Sequence, residues 1–421
     1  MDSVKIGLLL GDELDWPSTY ESLLRRLDLR VKHRGRETRV ECERVRIHPF
    51  ALNAPTSYRL VIDRLAYWYL HPREWLKKAA LLNDVYMINN PFTFQSMEKH
   101  AAYCAMMRCG IKIPETWLIP TKNPPADPTF ARKYERTAAK YNDLFDLGGL
   151  GGHIGYPMYM KPFDGGGWRG VSRIADQEAL YSQYDSSGQS LMHLQRAVEP
   201  YDVFVRSLAI GPQVISLRYD PTQPSHGRYQ VDHAFLSERQ GREARQLVKL
   251  INSFFRWEFN SCECMLQGDD VWAIDFANAC PDIAINSLHY YYPWALMALV
   301  RWSVFCATTG RRSRINMEPY QYFEIGDSDR SYEEKLAAYE AIADNYFQRD
   351  EFEEFCEVNF PHLEEVAIEY FRSQEFLDMT SETIRDIFPP HEQEKYTGHF
   401  AGLARFWAQS RAEQLAAAKG K

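Results

Sequence analysis

Short apolar runs, each closed by glycine, proline or charged residues, mark the start of the chain. Lys5 to Leu10 is the first, ending in Gly11-Asp12-Glu13. It reads as the opening strand of a parallel sheet, with Asp12 and Glu13 at its carboxyl end, where open α/β sheets bind ligands. Ser18 to Asp28 has the periodicity of an amphipathic helix with Ser18 as its cap. Val40 to Ile47 alternates as strand two. Tyr58 to Leu65 is a buried strand broken by Asp63-Arg64, which either pair with each other or leave Arg64 for a substrate. Pro72 to Leu82 reads as a helix and Val85 to Ile88 as strand four. Alternating strands and helices predict a small α/β domain over 1–92.

Helical spacing resumes over Gln95 to Cys109, which carries Lys99 and is closed by Gly110. Ile113 to Ile119 is another strand. Residues 120–152 break the rhythm with Pro124, Pro125 and Pro128, a helical piece over 130–147, then Gly148, Gly149, Gly151 and Gly152. That composition predicts an insertion, mobile near its glycines. The run from Tyr156 to Met160 is a buried strand, followed by Lys161-Pro162, Asp164, Gly165, Gly166, Gly167, Trp168, Arg169 and Gly170. A short helix spans 176–184. Strands at 191–198, 203–210 and 214–219 read as one antiparallel meander. A long helix over 237–257 and a hairpin of 262–266 with 271–276 around Gly268-Asp269-Asp270 follow. Then come a buried helix over 292–307 and amphipathic helices from Ser331 onward.

Composition narrows the function classes. The 421 residues are 45% hydrophobic and 25% charged, an ordinary globular balance with room for several domains. A net charge of −8 argues against nucleic-acid binding through bulk charge while leaving room for a local basic pocket. The 8 cysteines are scattered without zinc spacing, as reduced thiols would be. The N-terminal apolar run is acidic on both sides, so it is a strand and not a signal peptide. No run approaches the length of a membrane span. A reducing cytoplasm is the expected setting, with neither a nucleic-acid nor a membrane partner.

The chemistry concentrates after residue 155. Glycines let backbone N–H groups converge on phosphate oxygens, and a lysine at the end of the preceding strand adds a point charge. Lys161 with Gly165, Gly166 and Gly167 therefore reads as a triphosphate clamp, or else as a hairpin with a loose tip. Glu263, Asp275 and Asn278 supply hard oxygens of the kind Mg²⁺ takes, provided their strands pair. Asp275 lies within an apolar strand, where a lone carboxylate is expensive. For Glu263 and Asp275 to share a face, the hairpin needs a three-residue loop or an equivalent bulge.

In this order the motifs resemble the ATP-grasp superfamily, from about Tyr86 to Asp282. Lys99 with Gly110-Ile111-Lys112-Ile113-Pro114-Glu115-Thr116 is similar to its entry segment, and Gly155-Tyr156-Pro157 through Lys161 to its second lysine strand and lid. Leu194 to Val198 resembles its adenine hinge, with Gln195 where glutamate is usual. Asp202, Arg206 and Arg218 resemble its arginine-bearing strands, although the Asp-to-Arg spacing is longer. Asp275-x-x-Asn278 stands where the family has Glu-x-Asn. The resemblance implies an α/β (α+β) architecture: the N-terminal domain over 1–92, a central lid subdomain over 93–190, an antiparallel-sheet ATP-grasp subdomain over 191–310, and a helical extension over 311–421. It implies ATP held by Lys99, Lys161, the glycines, Gln195, Val198 and Asp202, with one or two Mg²⁺ on Glu263, Asp275 and Asn278. Arg218, helped by Arg206, would stabilise the moving phosphoryl. The implied activity is an ADP-forming ligase joining a carboxylate to an amine or thiol through an acyl phosphate, on small-molecule or peptide substrates. A phosphotransferase without an amine acceptor and a non-catalytic ATP-binding protein are the competing readings. The C-terminal helices are either a homodimer surface or a cap over the site.

Overall fold

The computed structural model describes residues 2–166, 168–278 and 280–419. The chain divides into two compact units, one made of Met1–Phe94, Val205–Cys262 and Asn278–Lys421, the other of Gln95–Phe204 and Glu263–Ala277.

The first unit opens with a five-stranded sheet: β1 Asp2–Leu9, β2 Arg30–His33, β3 Arg36–Arg44, β4 Tyr58–Asp63 and β5 Tyr86–Ile88, in the order β2-β3-β1-β4-β5. β1 runs parallel to both β3 and β4, and β4 to β5. The hairpin of β2 and β3 is antiparallel, so one strand more is present than the alternation predicts. The helix after β1 spans Asp15–Leu27, and Ser18 lies inside it rather than at its cap. Three residues precede Ser18 in the helix because Asp15, Trp16 and Pro17 are themselves helical and buried. The apolar helix Tyr292–Thr308 is buried along most of its length, as expected of a helix with few polar positions. It is tied to the first helix through Tyr20 Oη and Ser303 Oγ at 2.8 Å. The helix Glu238–Phe255 starts in a capping box of Ser237 and Gln240. The C-terminal helices Tyr332–Phe347, Arg349–Asn359, Leu363–Arg372, Gln374–Ile387 and Pro390–Lys419 pack in this same unit. Lys249 reaches Glu340 and Asp344, both at 2.8 Å. Glu375 accepts from Ser22 Oγ at 2.6 Å.

The second unit holds a four-stranded sheet of β6 Thr116–Ile119, β7 Met158–Pro162, β8 Ser172–Ile174 and β9 Met192–Arg196, in the order β6-β9-β7-β8 and antiparallel throughout. β9 therefore does not join the expected meander. Its buried Met192 and Leu194 pack with Met158, Met160 and Ile174 of this sheet instead. Residues 148–152, expected as the mobile end of the insertion, lie in a helix Leu147–Ile154 capped by Asp146. A Cβ at Gly151 would land on the Tyr156 hydroxyl and on Leu180, so glycine is what lets this helix sit close.

Five more strands follow: β10 Val203–Ile210, β11 Gln213–Tyr219, β12 Tyr229–Gln230, β13 Phe259–Gln267 and β14 Asp270–Asp275. In the first unit β11 pairs antiparallel with β10 and with β12. In the second, the end of β13 pairs with β14 across the two-residue turn Gly268-Asp269, with Gln267 opposite Asp270. The register slips between Glu263 and Cys264, so Glu263 faces Asp275 while Cys264 faces Ala273. A bulge at Ile274, not a longer loop, thus puts the two carboxylates opposite each other.

Candidate active site

Period-two alternation builds one wall of a cavity in the second unit. Along β7, Met158 and Met160 enter the core, which leaves Tyr159 and Lys161 on the cavity side. Along β9, Met192 and Leu194 enter the core and Gln195 lines the cavity. Tyr159 is register partner to Gln195, and Lys161 to His193. The cavity is completed by Lys99 at the start of the helix Lys99–Arg108, by Glu263 and Met265 of β13, by Ile274 and Asp275 of β14, and by the loop bearing Gly165, Gly166, Trp168 and Arg169. Its volume, mouth included, is about 590 Å³.

Both lysines are buried, and each is held by oxygens. Lys161 Nζ donates to Gln195 Oε1 at 2.6 Å and to the Ile274 carbonyl at 3.2 Å. Gln195 is itself fixed by its Nε2, which donates to Thr116 Oγ1 at 2.8 Å. The bulge gives the Ile274 carbonyl its role: freed from the ladder, it accepts from Lys161 and, at 2.7 Å, from Tyr103 Oη. Lys99 Nζ donates to the Gly165 carbonyl at 2.6 Å and meets Asp275 Oδ2 at 3.2 Å. Burial pushes the Lys161 ammonium down to about 8; Asp275 opposes this and the charge of Lys99 adds to it. Next to them, burial pushes His193 down to about 4, with His100 and both lysines adding to the effect. His193 is therefore neutral at pH 7.

The loop over these cations takes left-handed backbone at Gly165 (φ +88°), Trp168 (φ +61°) and Gly170 (φ +71°). Gly166 is not among the residues with positive φ, and a Cβ there would meet nothing within 4 Å. Gly167 lies outside the described residues. Positive φ at a bulky residue such as Trp168 is costly.

Of the candidate residues, Lys99, Lys161, Gly165, Gly166, Gln195, Val198, Glu263 and Asp275 line this one cavity. Asp202 does something else: its carboxylate accepts from Gly268 N–H at 2.7 Å and its own N–H bonds the Leu266 carbonyl at 2.8 Å, clamping the hairpin turn. Arg206, Arg218 and Asn278 belong to the first unit. Arg206 reaches Ser261 Oγ at 3.4 Å and lies over the rings of Tyr219 and Tyr229, at 5.3 and 5.7 Å. The Asn278 amide is satisfied at both ends when its oxygen accepts from Ser261 and Arg206, both at 3.1 Å, and its nitrogen donates to the Cys280 carbonyl at 3.2 Å. Arg218 pairs with Asp232 at 2.8 Å. Tyr159, Trp168, Arg169, Arg196 and Met265 line the cavity without having been singled out. Tyr159 could have been found, because it sits two residues before Lys161 and so shares its face.

Among the described residues no group of three or more His, Cys, Asp or Glu side chains could hold a metal by itself. Two facing carboxylates do fit Mg²⁺, which keeps several waters and is usually bound through one or two carboxylates plus substrate phosphates. Glu263 and Asp275 are those two, beside two ammonium groups that fit phosphate oxygens.

No protein-family model and no curated protein matches the chain. Solved structures similar to it include a RimK domain ATP-grasp protein from Sphaerobacter thermophilus DSM 20745, at 17% identity and TM-score 0.46, over 72% of this chain and 100% of that one. D-alanine–D-alanine ligase from Bacillus anthracis complexed with ATP has 10% identity and TM-score 0.47, over 73% and 97%. The macrocyclase MdnC from Microcystis aeruginosa MRC, bound with precursor peptide MdnA, has 12% identity and TM-score 0.44, over 72% and 99%. Among the described residues no helix is long and apolar enough to cross a membrane.

Proposed function

We propose that the chain is an ATP-dependent ligase of ATP-grasp type, ADP-forming, that activates a substrate carboxylate for attack by an amine. The observation that carries the reading is the convergence of Lys99, Lys161 and the glycine loop opposite Glu263 and Asp275 in one cavity. Two buried cations facing two carboxylates suit a polyphosphate and its metal, and suit an uncharged ligand poorly.

In this reading Lys99 and Lys161 bind the α- and β-phosphates. The loop at Gly165 and Gly166 covers the β- and γ-phosphates once it has swung outward to admit them. Tyr159, Val198 and Met265 offer the apolar surface for the base. Glu263 and Asp275 would hold Mg²⁺, joined by Asn278 in the sequence-based assignment, and the ion would offset phosphate charge during transfer. Phosphoryl transfer is chiefly positioning and electrostatics, so no protein nucleophile is required. Arg218, with Arg206, is assigned to the developing charge. On that assignment Arg218→Ala lowers turnover about a hundredfold, the scale of losing one such donor, with far less effect on ATP affinity.

The reading is tested by ADP release with candidate carboxylates and amines, and by ¹⁸O transfer from labelled carboxylate into phosphate. Label in the phosphate is the predicted result. ADP release without label removes the acyl phosphate and favours a phosphotransferase. No ADP release with any substrate favours a binding protein. A setting in the reducing cytoplasm belongs to the same proposal.

A further inference from the structure

One helix of the second unit, Pro128–Tyr141, buries none of its residues. It starts at Asp127, whose carboxylate accepts from the N–H groups of Thr129 and Phe130 at 2.8 and 3.1 Å, with Pro128 in the first position. Its apolar residues Phe130, Tyr134, Ala138 and Tyr141 recur at helical spacing and share one stripe. Ala131, Tyr134 and Ala138 are half-buried, and Tyr134 Oη lies 3.1 Å from Thr121 Oγ1, so one edge of the stripe rests on the unit. The other edge is bare. Phe130 and Tyr141 are each 63% exposed, and Leu144, just past the helix, is fully exposed. A helix of this length is marginal alone and owes its stability to a covered apolar face. The bare aromatic edge is matched to a cover from outside the unit.

A basic ridge runs beside that edge. Arg132, Lys133, Arg136 and Lys140 are all exposed and follow one another within a turn. Helical spacing puts Lys133 and Lys140 nearest Phe130 and Tyr141, with Arg136 and then Arg132 behind them. Among the described residues none of the four forms an ion pair. The carboxylates of the segment stand apart. Asp127 and Asp146 cap helices, and Glu135 is two residues from Lys133, hence on the far side of the helix. Asp143 is the one other carboxylate between 127 and 146. In a chain of net charge −8, four exposed cations on one helix mark a surface for an anion.

Shape decides which anion. A peptide docks in a groove or along a sheet edge. This face is convex, with Phe130, Tyr141 and Leu144 projecting from a helix and the segment after it. Projecting apolar side chains flanked by Lys and Arg suit the headgroup and acyl boundary of a bilayer, where such helices lie in the plane of the interface. The expectation of no membrane partner rested on the lack of a long apolar run, which bears only on crossing a bilayer.

We propose that the helix Pro128–Tyr141 docks the chain on an anionic bilayer surface. Phe130, Tyr141 and Leu144 enter the headgroup region, and Lys133, Lys140 and Arg136 meet the lipid phosphates and carboxylates. The inference is independent of the ATP reading. One short helix with three apolar side chains gives reversible binding that salt weakens.

The test is sedimentation of the full chain with vesicles of phosphatidylcholine alone and of phosphatidylcholine mixed with phosphatidylserine. In the predicted result the chain sediments with the mixed vesicles only, and is released at roughly 1 M salt, where the Debye length is about 3 Å. Because the whole chain is anionic, binding to anionic lipid has to go through a local basic patch. Lys133→Glu with Lys140→Glu, and separately Phe130→Ser with Tyr141→Ser, each lower partitioning roughly tenfold or more, while the circular dichroism spectrum and melting temperature stay those of the wild type. Failure to sediment with either vesicle overturns the proposal, as does equal binding to both, or binding to the mixed vesicles that neither double variant weakens. Binding of polyglutamate but not of vesicles, lost in the Lys133→Glu, Lys140→Glu variant, overturns it in favour of an acidic polypeptide partner.

Discussion

Lys161 is where burial and charge conflict most. Its ammonium is held by a side-chain amide and a backbone carbonyl, both neutral, with Asp275 near enough to raise its pKa against the larger effect of burial. A buried cation with incomplete compensation costs stability until an anion arrives. The sign of the pH dependence follows. The folded pKa is about 8 against an ordinary value of 10.5, so between those values the unfolded chain binds more protons than the folded one. Stability of the unliganded protein contributed by this group therefore rises as pH increases from about 8 toward 10.5, and its cost is fully present below 8. Binding of ATP runs the other way, because phosphates favour the charged lysine. ATP affinity should fall as pH rises above about 8, with proton uptake on binding in that range. Calorimetry in two buffers of different ionisation enthalpy checks this; a flat affinity from pH 7 to 9.5 would remove Lys161 from phosphate contact.

At the scale of elements, the helix Leu147–Ile154 and the β13–β14 hairpin show what patterning does and does not reveal. Four glycines in the five residues 148–152 read as a linker, yet Asp146 caps the segment and Gly151 packs against Tyr156 and Leu180. Tertiary contact outweighs the weak helix propensity of glycine there. Gly151→Ala should destabilise the protein by about 1–3 kcal/mol through overpacking. Gly152→Ala, on the same helix with nothing within 4 Å of its Cβ, should stabilise it by about 0.5–1 kcal/mol. Thermal unfolding of the two variants distinguishes packing from propensity, and equal shifts would contradict the packing account. In the hairpin, the need for Glu263 and Asp275 to share a face was legible from their chemistry. The bulge at Ile274 that achieves it was not, because a bulge leaves no mark on period-two alternation. The partner of β9 was equally hidden. Its alternation fits any sheet with a free edge, and only packing of Met192 and Leu194 against Met158 and Met160 decides.

Over the whole molecule, chemistry that breaks a pattern stands out in the sequence, as with Lys161 at the end of an apolar strand and Asp275 inside another. Their partners are less legible, since Gln195, Ile274 and Gly165 hold the lysines through contacts between residues distant in the chain. The C-terminal helices show the same limit. Their amphipathic spacing predicts the helices, while their place in the unit of the N-terminal sheet follows from pairs such as Ser22 with Glu375. The account stands or falls on the cavity of the second unit, and titration of ATP with Mg²⁺ into the wild-type chain and Lys161→Met tests it most directly. The predicted result is one ATP per chain for the wild type, and a loss of about 1.5–3 kcal/mol in binding for the variant, whose unliganded melting temperature is unchanged or raised. Equal affinity in both proteins, or no binding of ATP by the wild type, would contradict it.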